Sequence, residues 1–187
     1  GAKFFVTGSK KESNFHVVDS EHRGLAALDA VTAIVIAEGY ATADTLSQAL
    51  SCPVVAAFDS GNLLKVAQVL QNKYPQKPIV IAGDDDLTQE SINGKNPGKE
   101  KAMEAAQLVN GAVVLPIFAP GEQMSQQLSD FNDLANKSVL GIEAVKRQVG
   151  SVVEKASQQA KQDSLLKLQA PIEPKQQEIK QKRALVR

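Results

Sequence analysis

Four short runs of apolar residues constrain this chain more than anything else in it. Thr32-Ala33-Ile34-Val35-Ile36-Ala37, Pro53-Val54-Val55-Ala56-Ala57, Pro78-Ile79-Val80-Ile81-Ala82 and Ala112-Val113-Val114-Leu115 are continuous rather than alternating. A strand that is apolar at every position is buried on both faces, as in parallel sheets covered by helices. Between the runs the period changes. Ala43, Leu46, Ala49 and Leu50 recur at three and four, as do Leu63, Val66, Ala67 and Leu70, then Ala102, Ala105, Ala106 and Val109. These spacings predict helices over 40–50, 62–73 and 99–109. Strands alternating with such helices form βαβ units with right-handed crossovers. The expected fold class is α/β, a mostly parallel sheet of about four core strands flanked by helices.

The flanks carry weaker signals. Residues 3–7 and 14–19 are β-rich, and the polar stretch 8–13 between them reads as the loop of a hairpin. Residues 23–30 read as a helical turn or two. The stretch 84–98 is rich in Asn and Gly, and 116–129 shows no period, so both read as loops. A long helix follows over 139–165, with Ile142, Val145, Val149, Val152 and Ala156 as a narrow stripe. That stripe either packs on the chain's own sheet or pairs as a coiled coil, although it is shorter than the three or four heptads a coiled coil needs. Residues 171–187 hold Lys175, Lys180, Lys182, Arg183 and Arg187 against Glu173 and Glu178, a flexible basic tail or a nucleic-acid contact. The division expected is a hairpin and linker packed on the core over 1–30, a core over 31–138, the long helix over 139–165, and the tail over 166–187.

Composition excludes several functions. Lys and Arg total 21, as do Asp and Glu, so no whole-surface basic field exists for nucleic acid and any such contact must be local. No apolar run approaches the roughly 20 residues of a membrane-spanning helix. One Cys makes no internal disulfide, and with two His it cannot complete a zinc cage of nitrogen and sulfur ligands. A cytoplasmic setting is the expectation, and the opening Gly1 suggests a piece of a longer protein. No P-loop and no nucleophile elbow is present. Cys52 reads as a passive thiol, His16 as an ordinary packed strand residue, and Tyr40 as core or rim packing that could line a site.

The chemistry-bearing residues fall at strand ends. Ligands of open α/β sheets sit at the carboxyl ends of the strands, where Glu38 and the run Asp84-Asp85-Asp86 are expected. Two aspartates one residue apart in a tight loop can face one cation. Mg²⁺ prefers hard oxygen ligands and retains several waters. A cation there would polarise a phosphoryl group, and a third carboxylate would serve as ligand or as general acid/base. The plainer alternative is a solvated acidic turn or a helix cap. Lys99 and Lys101 follow Gly98 at a helix start and could contact phosphate, or could simply line a solvated helix face.

Glu38-Gly39 after one buried strand, and Asp84-Asp85-Asp86 after a later one, resemble the Toprim domain. That domain is shared by bacterial-type primases, topoisomerases and several nucleases. Ala57-Phe58-Asp59-Ser60-Gly61-Asn62-Leu63, Asn96-Pro97-Gly98-Lys99 and Asp130-Phe131-Asn132-Asp133-Leu134 are similar to segments of its plasmid- and phage-type DNA primase branch. The likeness spans roughly residues 1–140. It implies a catalytic role for Glu38, Mg²⁺ or Mn²⁺ ligation by Asp84 and Asp86, and Asp85, Asp130 and Asp133 as further acidic neighbours. It also implies RNA primer synthesis from NTPs on a single-stranded DNA template. Other domains or proteins of a replication or conjugation system would be partners. Leu87-Thr88-Gln89 stands where many Toprim domains have a glycine, and the chain holds no zinc module. Two alternatives remain: a metal-dependent nuclease on the same core, and a non-catalytic docking module of a larger conjugation or mobilisation protein.

Overall fold

The computed structural model describes residues 12–169. The chain runs β1 (His16–Val18), a 3-10 helix (Gly24–Asp29), β2 (Ile34–Ala37), α1 (Tyr40–Leu50), β3 (Val54–Ala56) and α2 (Ser60–Lys73). It continues with β4 (Ile79–Ala82), α3 (Leu87–Asn93), α4 (Pro97–Leu108), β5 (Ala112–Val114), α5 (Glu122–Gln126), α6 (Phe131–Asn136) and α7 (Gly141–Gln169). The five strands form one sheet in the order β1-β3-β2-β4-β5. The β3-β2, β2-β4 and β4-β5 pairs are parallel, and β1 is antiparallel to β3. The first arm of the expected hairpin, 3–7, and the basic tail from 170 onward lie outside the described residues.

Three of the four apolar runs behave as predicted; the fourth, β5, lies at the edge of the sheet, and its Ala112 and Val113 are only partly buried. All four residues of β2 and of β4 are buried. Val35, Ala37, Val80 and Ala82 face one core cluster with Leu46 of α1, Phe131 of α6 and Val145 of α7. Ile34, Ile36, Ile79 and Ile81 face the other, with Leu63 of α2 and Ala102 of α4. The alternation of side chains along each strand divides the two layers. Full burial of a side chain such as Leu46, Leu63 or Leu70 contributes roughly 1.5–3 kcal/mol.

The stripe on α7 is consumed within the chain. Val145 and Val149 are buried, and Val152 and Ala156 pack against the same cluster, so the packing reading holds over these positions. Ile142 remains exposed. Ser157 of the same helix donates to Thr32 Oγ1 at 3.1 Å, beside the entry to β2.

Two polar side chains hold the ends of the sheet. At the amino ends, Lys77 Nζ donates to the carbonyls of Leu28, Asp29 and Val31 at 2.7, 2.7 and 2.9 Å. One ammonium thereby satisfies the carbonyls that the 3-10 helix leaves open. At the carboxyl ends, buried Asn62 donates to the carbonyls of Asn14 and Ala57 at 2.8 and 2.9 Å and accepts from the Ser13 N–H at 2.8 Å. It ties the chain before β1 to the exit of β3.

The expected loops are partly helical. The stretches 84–98 and 116–129 contain α3 and α5. Neither helix has a buried residue, so neither leaves an apolar period in the sequence.

Candidate functional site

The site begins with strand register. Ala37 at the end of β2 pairs with Ala82 at the end of β4. Glu38 is therefore one residue, and Asp84 two residues, beyond paired positions of neighbouring strands. From β2 the chain turns through α1 toward β3 on one side. From β4 it proceeds through α3 and α4 to β5 on the other. Adjacent strands whose connections depart in opposite directions create a crevice at their carboxyl ends. Glu38, Asp84 and Asp86 are all partly buried at this rim.

The acidic loop is held by α4. Asn96 is 3% exposed and caps that helix. Its Oδ1 accepts from the N–H groups of Asp86 and Lys99 at 2.9 and 3.2 Å. Its Nδ2 donates to Asp85 Oδ1 at 2.7 Å and to Glu90 Oε2 at 2.9 Å. The Gly98 N–H donates to Asp86 Oδ2 at 3.0 Å. A Cβ at Gly98 would lie 2.8 Å from the Asp84 carbonyl oxygen and 3.0 Å from Asp86 Oδ2, so only glycine permits this approach. Gly83 serves the same closeness from the strand side, since a Cβ there would meet the Ala102 Cβ at 2.5 Å.

Asp85 faces inward. Besides Asn96, Gln123 Nε2 donates to its Oδ2 and to its carbonyl, each at 3.0 Å, and its own N–H donates to the Ser129 carbonyl at 2.7 Å. Both carboxylate oxygens of Asp85 are thus committed to holding the loop. Two residues beyond Asp86, the buried Thr88 Oγ1 finds no hydrogen-bond partner among the described residues.

Asp130 and Asp133 belong to the start of α6. Asp130 caps the helix, accepting from the Asp133 N–H at 2.7 Å, and its Oδ2 accepts from Thr42 Oγ1 at 3.2 Å. Burial raises its carboxyl above the usual range, and the Asp133 charge adds to that against the hydrogen bonds. Asp133 accepts from the Ser129 N–H at 3.0 Å and pairs with Lys137 at 2.7 Å. Through Ser129 and Thr42 this helix start bridges the acidic loop and the first turn of α1, which places Asp130 beside the crevice. Lys99 lies half-buried on the first turn of α4, while Lys101 pairs with Glu104 along that helix at 2.7 Å.

Sequence reasoning missed Asn96, Gln123 and Thr42. An Asn directly before Pro97 is a helix-start signal that would have identified the first. Gln123 has no such signal, because its role depends on where the 116–129 segment lies.

The donor set at the rim is all carboxylate oxygen, which suits a hard divalent cation. The Gly98 N–H fixes the orientation of Asp86 Oδ2 within that set. Among the described residues, no group of three or more His, Cys, Asp or Glu is already gathered closely enough to hold a metal ion. No helix among them is long and apolar enough to cross a membrane.

A mostly parallel sheet with acidic residues on this edge defines a class, and the sequence confirms it. The Toprim domain profile matches residues 33–139, and the chain belongs to that family. The resemblance read from Glu38 and residues 84–86 is borne out. Two similar proteins, both described as DNA primase TraC from Escherichia coli, are 38% and 39% identical. The first alignment covers 87% of this chain and 15% of the relative, the second 98% and 22%. The chain thus spans less than a quarter of either relative's length. No solved structure matches it.

Proposed function

We propose that this chain is the catalytic Toprim domain of a primase, joining ribonucleotides on a single-stranded DNA template. The observation that carries the reading is the register of β2 and β4, which starts Glu38 and Asp84 from paired residues at the crevice. Likeness to the DNA primase TraC proteins supports the choice of reaction.

In this reading, Asp84 and Asp86 hold Mg²⁺ or Mn²⁺. When bound, that ion supplies charge neutralisation at the phosphates of the incoming NTP. Glu38 takes the proton of the primer 3′-hydroxyl as that oxygen attacks the α-phosphate, and the bond from the α-phosphorus to the α–β bridging oxygen breaks to release pyrophosphate. Asp85 and Asn96 keep the loop in place, and Lys99 contributes positive charge near the phosphates.

The test is NTP incorporation on single-stranded DNA with Mg²⁺ or Mn²⁺. Short RNA products, lost in Glu38→Gln, Asp84→Asn and Asp86→Asn with the fold retained by circular dichroism, are expected. DNA cleavage without NTP incorporation would transfer the site to a nuclease. DNA binding unaffected by metal, with neither product, would make the domain a docking module. Calorimetric titration of metal against the Asp84→Ala/Asp86→Ala variant locates the ion independently of turnover.

A further inference from the structure

Beside the carboxylate crevice lies a pair of aromatic rings that the proposed chemistry does not use. The centroids of His16 and Tyr40 are 5.6 Å apart, with the rings inclined at 40°. His16 was expected to be an ordinary packed strand residue, yet its side chain is exposed. Tyr40 is 52% exposed and is the only Phe or Tyr among the described residues that is exposed. Phe118 and Phe131 are buried, and Phe15, Phe58 and Tyr74 are intermediate. Leaving a large ring half in water forgoes the fuller burial that every other Phe and Tyr among the described residues obtains.

The position is set by register. His16 pairs with Ala56 of β3, and Ala56 pairs with Ala37 of β2, the residue before Glu38. Tyr40 is the first residue of α1, two positions past Glu38. Both rings therefore stand on the same rim of the sheet as the proposed catalytic carboxylate. Behind them is a groove of about 540 Å³.

The charge of that groove selects its ligand. Asp19, Glu21 and Asp44 line it, and its guanidinium, Arg23, is held by Asp19 and Glu21, each at 3.1 Å. Gln48 Nε2 donates to Asp44 at 2.8 Å, which leaves an amide and carboxylate surface beside the rings. Such a wall repels phosphate and accepts from N–H donors. A flat, uncharged ring system with donor groups on its edge fits both the rings and the wall.

We propose that His16 and Tyr40 form a stacking platform for an unpaired nucleobase, with the base edge toward Asp44 and Gln48 and the phosphates directed away from the groove. Stacking on aromatic side chains is how single-stranded nucleic acid is held without reading its sequence. The inference rests on the primase reading for the identity of the base, which comes from either a template strand or a nucleotide.

The experiment has two arms, each with 2-aminopurine as the fluorescent base: a single-stranded DNA oligonucleotide and a 2-aminopurine ribonucleoside triphosphate. Quenching on binding is expected in at least one arm, which identifies the source. Tyr40→Ala should weaken that binding roughly 5- to 100-fold and remove the quenching. Tyr40→Phe and Tyr40→Trp should retain it, and His16→Ala should cost a smaller, roughly 2- to 10-fold loss. Binding and quenching unchanged in Tyr40→Ala, or no quenching in either arm with wild type, would overturn the platform. Primer synthesis by the wild-type chain, assayed beside the quenching, separates this inference from the proposed reaction. Tyr40-dependent quenching without any primer synthesis leaves the platform standing while the primase reading fails. Primer synthesis with Tyr40-independent binding does the reverse.

Discussion

The Gly98 N–H donates to Asp86 Oδ2 at 3.0 Å, and the same residue brings the α4 backbone against Asp84. Helix start and acidic loop are one packed unit at this point. Gly98→Ala would place a methyl group 2.8 Å from a backbone oxygen, which cannot rotate away. We expect a loss of roughly 1–3 kcal/mol in stability from overpacking. Metal affinity should fall with it. Denaturant unfolding and calorimetric titration, run on the same preparation, check both.

Asn96 offers a sharper dissection. Asn96→Ala removes a cap and takes the acceptor from the partly buried N–H of Asp86, for an expected loss of about 1–3 kcal/mol. Asn96→Asp keeps the acceptor for the Asp86 and Lys99 N–H groups. It replaces the donor, however, with a second carboxylate facing Asp85 and Glu90. Its deficit against wild type should be largest at neutral pH and shrink as the pH falls through the carboxylate range. A pH-independent deficit would show that the Asn96 donor bonds are not what holds the loop.

Lys77 is predicted to matter for stability and not for chemistry. Lys77→Met retains the apolar stem and leaves the carbonyls of Leu28, Asp29 and Val31 without their donor. The expected cost is about 1–3 kcal/mol. Any primer synthesis should persist below the lowered melting temperature. A thermal melt paired with an activity assay at low temperature distinguishes the two effects.

Asp130 gives a pH signature. Its carboxyl is raised in the folded chain, chiefly by burial. As pH rises through the ordinary carboxylate value, the unfolded chain ionises first, so this residue lowers stability until its folded pKa is passed. The penalty is complete at neutral pH and absent in acid. Asp130→Asn keeps a good helix cap, so it should match or exceed the wild-type melting temperature at pH 7 and lose that advantage toward pH 3. An Asp130→Asn variant less stable than wild type at pH 7 would show that the ionised carboxylate stabilises the helix start.

The sequence made some of this legible and hid the rest for definable reasons. The strands were readable because Ile34–Ala37 and Ile79–Ala82 are apolar on both faces. α1, α2 and α4 were readable because each buries a stripe. α3 and α5 bury nothing, so their segments carry no apolar period and read as loops. The placement of Glu38 and Asp84 on one rim follows from the alternation of strands and helices. The separate work of Asp85 could not be read, because its partners Asn96 and Gln123 are 11 and 38 residues away. The exposure of His16 is hidden for a similar reason: a β-rich segment does not reveal that its strand lies at the edge of the sheet.

The strands themselves are short. β4 has four residues, about 13 Å at the usual strand rise, and β3 only three. Lys77 and Asp84 each lie two residues outside the ends of β4, so the clasp beneath the sheet and the carboxylates above it are separated by about 23 Å of extended chain. So shallow a plate has little slack to absorb a disturbance. A substitution that loosens the lower rim should therefore lower the melting point of the upper one as well, so that the two rims unfold in a single step rather than one after the other.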